Sequence, residues 1–218
     1  MRVYYQIAHY DQRHRLKWKS ALVKSDSFVK QFLQMLFSIM SRVSTNAIDI
    51  SNTSRTLTTS SAALEQQISV IHPGLDSLTD LYQTSGASGG GASTSFAVAS
   101  DQCGIVVGTG STAVAVANFA MGTIIAHGTS AGQFVYYGCW GLNYTTGASS
   151  ASFDIERIFR NGSGGSIVVA EIGVYGMMAD NSANGANGYC ILRDVLGATV
   201  TVLNGEYLKV KYTITVSN

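Results

Sequence analysis

The stretch EYLKVKYTITVS, residues 206–217, decides the fold. Leu208, Val210, Tyr212, Ile214 and Val216 fall on one face. Tyr207, Lys209, Lys211, Thr213 and Thr215 fall on the other. A period of two held over ten residues is the signature of a half-buried strand. Upstream, Asn204-Gly205 is a hairpin signal, because both residues tolerate positive φ. Further strands are expected at Gly188–Leu192, at Ile167–Tyr175, at Phe153–Phe159 with its alternating acids and bases, and in the aromatic run Phe134–Tyr144. Shorter candidates are Cys103–Val107, Ala113–Val116 and Thr123–Ala126. Asn-Gly pairs also stand at 161–162, 184–185 and 187–188. Many short strands punctuated by such turns predict a mainly β protein, an antiparallel β-sandwich or jelly-roll-like body over residues 96–218.

The region before that body has a different composition. Residues 1–42 carry eight basic and two acidic residues, whereas the remaining 176 carry six basic and eleven acidic ones. Of the 23 glycines, 22 lie at Gly86 or later. Residues 1–84 therefore read as a basic N-terminal docking region, with Arg13, Arg15, Lys17 and Lys19 as its basic patch. Val3, Tyr5 and Ile7 alternate with polar neighbours, and residues 2–23 are expected to form a hairpin. An amphipathic helix is expected over about 26–43, capped by Ser25, Asp26 or Ser27. Phe28, Phe32, Leu36 and Met40 recur every four residues, flanked by Leu33 and Phe37. A stripe this wide is expected to be buried, either on the body or between subunits. Residues 85–95, SGASGGGASTS, read as a linker or loop and set the domain boundary.

Composition narrows the classes. The chain has 218 residues, 12% of them charged, and 46% hydrophobic residues. That is enough apolar material for a core and too little charge for disorder. The run Phe28–Met40 is too short to span a bilayer and carries Lys30, Gln31 and Gln34, so no membrane partner and no cleaved signal are expected. Cys103, Cys139 and Cys190 have neither disulfide-scaffold nor metal-ligand spacing, and no cofactor is expected. Nucleic acid is not an expected partner.

Three segments imitate catalytic or ion-binding motifs. Gly108-Thr-Gly110 follows a strand-like run, but no acid for a ribose occurs between Asp101 and Asp154, so a glycine turn is expected in place of a dinucleotide site. Gly128-Thr-Ser130-Ala-Gly132 matches a nucleophile elbow, yet no His follows His127, so Ser130 reads as a turn residue. Asp180-Asn-Ser182-Ala-Asn184-Gly185 opens like a calcium loop, but Ile191 stands where the bidentate Glu is needed. No enzyme activity is expected. Glu171 stands out in an otherwise apolar strand, and a buried carboxylate must be paired. Arg157 and Arg193 are its candidate partners.

Three segments carry a resemblance: GIVVGTGSTAVAVANFAMGTIIAHG (104–128), FDIERIFRNGSGGSIVVAEIGVYG (153–176) and ILRDVLGATVTVLNGEYLKVKYTITV (191–216). With Arg157, Phe159, Asn161, Glu171, Gly173, Tyr175, Arg193, Asp194 and Asn204-Gly205-Glu206 in order, the C-terminal half resembles a group of small β-rich structural proteins of tailed bacteriophages and prophages. The resemblance implies a virion protein, at the neck, tail or head surface, displayed in many copies and contacting other copies and other virion proteins. It carries no catalytic residues. A second expectation belongs to another class. Tyr136, Tyr137, Trp140 and Tyr144 could form the platform of a receptor- or carbohydrate-binding module, with a host surface glycan as partner, since Trp and Tyr supply rigid stacking area.

Overall fold

The computed structural model describes residues 1–25, 27–41, 43–57, 100–180 and 186–217. The expected linker at 85–95 and most of the calcium-like loop lie outside these residues. The described chain is mainly β, with antiparallel sheets and one short helix, consistent with the expected sandwich-like body.

Sheet A is ordered β2-β1-β11-β8-β7, with β3 also pairing β1. Its strands are β1 (Arg2–Tyr10), β2 (Leu16–Lys19), β3 (Val23–Ser25), β7 (Phe134–Thr146), β8 (Ser150–Asn161) and β11 (Tyr207–Ser217). The alternation that opened the argument is realised in β11. Leu208, Val210 and Tyr212 are fully buried, and Lys209 and Lys211 face outward into ion pairs with Glu156 and Asp154. Burying each such apolar side chain stabilises by about 1.5–3 kcal/mol. Val3, Tyr5 and Ile7 of β1, Ile155 and Phe159 of β8, and Phe134 and Tyr136 of β7 fill the same inner face.

Sheet B is ordered β10-β9-β6, from β6 (Gly104–Gly108), β9 (Ile167–Ala179) and β10 (Ala186–Val202). β9 is its central strand, and from Val169 to Tyr175 both of its faces are covered, which is why they are apolar apart from Glu171. Ile105, Val107, Ile172 and Val174 are buried in one core cluster with the inner face of sheet A. The Tyr212 hydroxyl of β11 crosses to Asp194 of β10 at 2.9 Å. The opposite side of sheet B lies under residues 109–122. Of the shorter expected strands, Thr123–Ala126 contributes an isolated bridge, Ile124 to Gly108, and Ala113–Val116 is irregular. A small third sheet joins β4 (Asn46–Ile48) and β5 (Ser54–Thr56).

The N-terminal hairpin forms, β1 with β2, but it is not set apart from the body. β1 pairs with β11 along its whole length, from Arg2 opposite Thr215 to Tyr10 opposite Tyr207. Residues 2–25 are thus built into the sandwich, and the unit does not begin at residue 96. Ser27–Val29 then runs along the free edge of β10: Phe28 bridges Leu192, and the Val29 amide donates to Ile191.

The helix α1 (Lys30–Ser41) follows directly, and neither Ser25 nor Ser27 is its cap, because both hydroxyls donate to Asp194; Asp26, the other expected cap, lies outside the described residues. Its orientation also departs from the expected stripe. Gln31, Met35 and Ser38 are the buried line. Phe28 and Phe32 stack at 4.5 Å and, with Leu36, are half-buried. Leu33 is 63% exposed and Phe37 51%. The reason is the anchoring of Ser27–Val29 on β10, which fixes the rotation of the first turn before the apolar pattern can choose it. The Met40 side chain lies outside the described residues. No helix among the described residues is long and apolar enough to cross a membrane.

Candidate functional site

Glu171 sits on β9 opposite Val195, and Arg193 of β10 sits opposite Gly173, which makes the two diagonal neighbours on one face. Arg193 Nε donates to Glu171 Oε2 at 2.7 Å, and both side chains are buried. Arg157, the other candidate, does not reach Glu171. It lies over the Tyr136 ring at 4.7 Å, and its guanidinium donates to the carbonyls of Tyr137, Cys103 and Ile105. Burial pushes the Arg157 pKa down from its ordinary value.

Glu171 holds more than an arginine. Its Oε1 accepts from the amides of Gly110 at 3.0 Å and Thr123 at 2.7 Å, and Oε2 accepts from Gly122 at 3.0 Å. Arg193 extends the grip, donating to the Thr112 carbonyl and to Asn118 Oδ1, each at 3.0 Å. The glycines are required by space. A Cβ on Gly110 would stand 2.4 Å from Glu171 Oε1, and one on Gly108 would stand 2.5 Å from the Thr123 carbonyl oxygen and 2.6 Å from Glu171 Oε1. A Cβ on Gly122 would meet Arg193 Nη2 at 2.9 Å. The motif that imitates a dinucleotide site therefore gives one amide, that of Gly110, to an anion, and Gly122 and Thr123 give the other two, but the anion is the chain's own carboxylate. Sequence reading missed this role. The signal was present in the pairing of closely spaced glycines with a lone acid in an apolar strand.

Two further buried carboxylates brace the fold. Asp194 accepts from Ser25 at 2.9 Å, Ser27 at 2.6 Å and Tyr212. Burial and the Asp194 charge hold the Tyr212 hydroxyl well above its ordinary pKa, so it remains a donor. Glu206, at the turn before β11, takes His9 Nε2 and Lys17 Nζ at 2.7 Å each and the Leu203 amide at 3.0 Å. Burial alone would raise the Glu206 pKa, but these donors outweigh it and the value is lowered.

The proposed basic patch lies on this same hairpin. Arg13, Arg15, Lys17 and Lys19 are all exposed, but Arg15 pairs with Asp11 at 2.7 Å and Lys17 with Glu206. Arg13 and Lys19 make no ion pair among the described residues.

The aromatic platform is divided by a bulge. Tyr136 opposes Phe159, and Cys139 opposes Arg157, so one extra residue lies between them in β7. Tyr136 is buried and cannot take part in a surface site: its hydroxyl donates to the Ile125 carbonyl, and burial raises its pKa. Tyr137, Trp140 and Tyr144 are 40%, 45% and 74% exposed.

The remaining look-alikes are engaged elsewhere. Ser130 belongs to a turn closed by Gln133, and the His127 Nδ1 accepts from the Tyr136 amide at 3.1 Å. No His hydrogen-bonds Ser130 among the described residues. Asp180 accepts from Tyr189 at 2.6 Å and from Asn187. The three cysteines are buried thiols, and burial pushes Cys139 and Cys190 up to about 12. No group of three or more metal-ligating side chains occurs among the described residues. No protein-family model, curated protein or solved structure matches this chain.

Proposed function

We propose that the chain is a structural protein of a tailed-bacteriophage virion that assembles in multiple copies, with α1 as its contact to neighbouring subunits. The observation that carries this reading is the apolar outward side of α1. Leu33 and Phe37 lie one turn apart and are more than half exposed, while the opposite side of the helix is seated on β10 and β4. Two large apolar side chains one turn apart on a rigid helix form the i, i+4 anchor pattern by which helices dock. The buried charges support the same reading, because Glu171, Asp194 and Glu206 are spent on bracing loops and strands. The sequence resemblance supplies the particle.

The test is Leu33→Glu with Phe37→Glu in the full chain. The double variant should keep the parental melting temperature, because both side chains face water. It should be missing from purified particles and run as a smaller species than the parent in light scattering. Incorporation at the parental copy number would end this reading.

A further inference from the structure

The balance of charge in the sequence is not the balance at the surface. Every described Asp and Glu is buried or half-buried, whereas Arg13, Arg15, Lys17 and Lys19 are all exposed on the β1–β2 hairpin. Two carboxylates border that hairpin, and both are spent on holding it. Asp11 accepts from the amides of Arg13 at 2.8 Å and Arg15 at 2.9 Å and from Arg15 Nε at 2.7 Å. Glu206, 5% exposed, is taken by His9 and Lys17. Arg15 and Lys17 are thereby partly neutralised, while Arg13 and Lys19 keep their full charge toward water. Between Lys17 and Lys19 stands Trp18, 47% exposed. β2 is the terminal strand of sheet A, and all four of its side chains, Leu16 to Lys19, are exposed. Trp18 lies opposite His9, and its indole makes no ring stack or hydrogen bond among the described residues.

We propose that the β1–β2 hairpin binds single-stranded nucleic acid, with an unpaired base stacked on the Trp18 indole and the flanking phosphates on Arg13, Lys19 and their basic neighbours. Near-neutral formal charge argues against such a partner in the sequence, but inward carboxylates leave this surface cationic. A single strand offers a phosphate at every nucleotide and bases with open π-faces. The hairpin offers the complement of both, an exposed indole between two lysines with a basic turn beside it. In a duplex the bases are already stacked, so the indole has nothing to receive. An acidic protein segment would meet the cations and leave the indole unused. A second copy pairing edge to edge with β2 would bury Leu16 and Trp18, but it would set Lys17 and Lys19 of one copy against those of the other, and lysines on an edge strand oppose such pairing. The surface involves no residue of α1 and does not depend on how copies assemble.

The experiment titrates the full chain into a fluorescein-labelled thymidine 15-mer at low salt and follows anisotropy and tryptophan emission. The affinity should fall with added salt at a log–log slope of about −2, which corresponds to about three phosphates neutralised on a single strand. Tryptophan emission should be quenched on binding, and the quenching should vanish in Trp18→Phe. Trp18→Ala should weaken binding about tenfold, as expected for loss of one base stack. Arg13→Ala with Lys19→Ala should weaken it and cut the salt slope to less than half. Arg2→Ala should bind within twofold of the parent, because Arg2 is exposed but lies at the far end of β1, about 25 Å away. All these side chains face water, so the melting temperatures should match the parent. A duplex of equal length, heparin and polyglutamate serve as competitors and should displace the 15-mer poorly. Absence of binding at low salt, a Trp18→Ala variant as tight as the parent, or stronger binding of duplex, heparin or polyglutamate would each overturn the proposal.

Discussion

Glu171 shows how a single carboxylate can be both costly and necessary. Removing a charge from water costs several kcal/mol unless hydrogen bonds replace the water. Glu171 receives four such bonds, three from backbone amides and one from Arg193. Glu171→Ala should therefore destabilise by roughly 3–5 kcal/mol, read from urea unfolding. Adding Arg193→Met should recover only part of that loss, because the guanidinium is then gone but three amides still lack an acceptor; full recovery would show that the arginine alone mattered. At Glu206 and Asp154 the effect appears in pH. Both carboxyls are pushed up by burial and pulled further down by their donors, so both fall below their ordinary values of 4.5 and 3.8. A depressed folded pKa contributes stability that is present above the unfolded value and lost as pH falls through the folded one. The melting temperature should hold level down to about pH 5 and then drop in acid. Glu206→Gln with Asp154→Asn should lower the neutral melting temperature and flatten that acid slope; an unchanged slope would remove these two groups from the account.

Among the elements, the loop from Thr109 to Gly122 is the one whose shape depends most on small residues. Gly110→Ala would drive a methyl group onto the Glu171 carboxylate and should cost about 1–3 kcal/mol by overpacking. Gly132→Ala, where no atom lies within 4 Å but φ is +76°, should cost less. Reversal of that order in thermal melts would mean the loop moves aside without loss. The strands were legible in the sequence wherever one face meets core and the other meets water: β11 and β8 alternate cleanly, and the strand over Phe134–Thr146 announces itself by its aromatics. The loop was legible only as a failed motif, since no periodicity says that glycines close in sequence will surround an acid some fifty residues later. The rotation of α1 was hidden for a similar reason. Its apolar residues cover more than half of the helix, so the pattern alone allowed several faces, and the seating of Ser27–Val29 on β10 selected one that buries Gln31 and leaves Phe37 outside. On β7, the bulge shifted alternation by one residue and separated the buried Phe134 and Tyr136 from the exposed Tyr137, Trp140 and Tyr144.

For the whole molecule, the boundary suggested by charge and glycine content does not coincide with the boundary of packing. The basic N-terminal hairpin contributes Val3, Tyr5 and Ile7 to the same core as β11, and His9 and Lys17 to Glu206. Deleting residues 1–25 should therefore abolish cooperative unfolding, giving a broad calorimetric trace or an insoluble product; a sharp transition in the truncated chain would restore the view that the head is an appendage. β11 has a distinct position in this arrangement. It lies between β1 and β8, so within sheet A it joins the hairpin made from the start of the sequence to the hairpin made from its second half. As the chain leaves the ribosome, β1 precedes its partner β11 by some two hundred residues. Until then β1 and β8 each present a bare edge, and the two halves of sheet A have no backbone bond between them. Closing contacts so distant in sequence is slow. A chain that lacks β11 cannot imitate the finished sheet, which makes this one strand the closure on which both halves of sheet A depend.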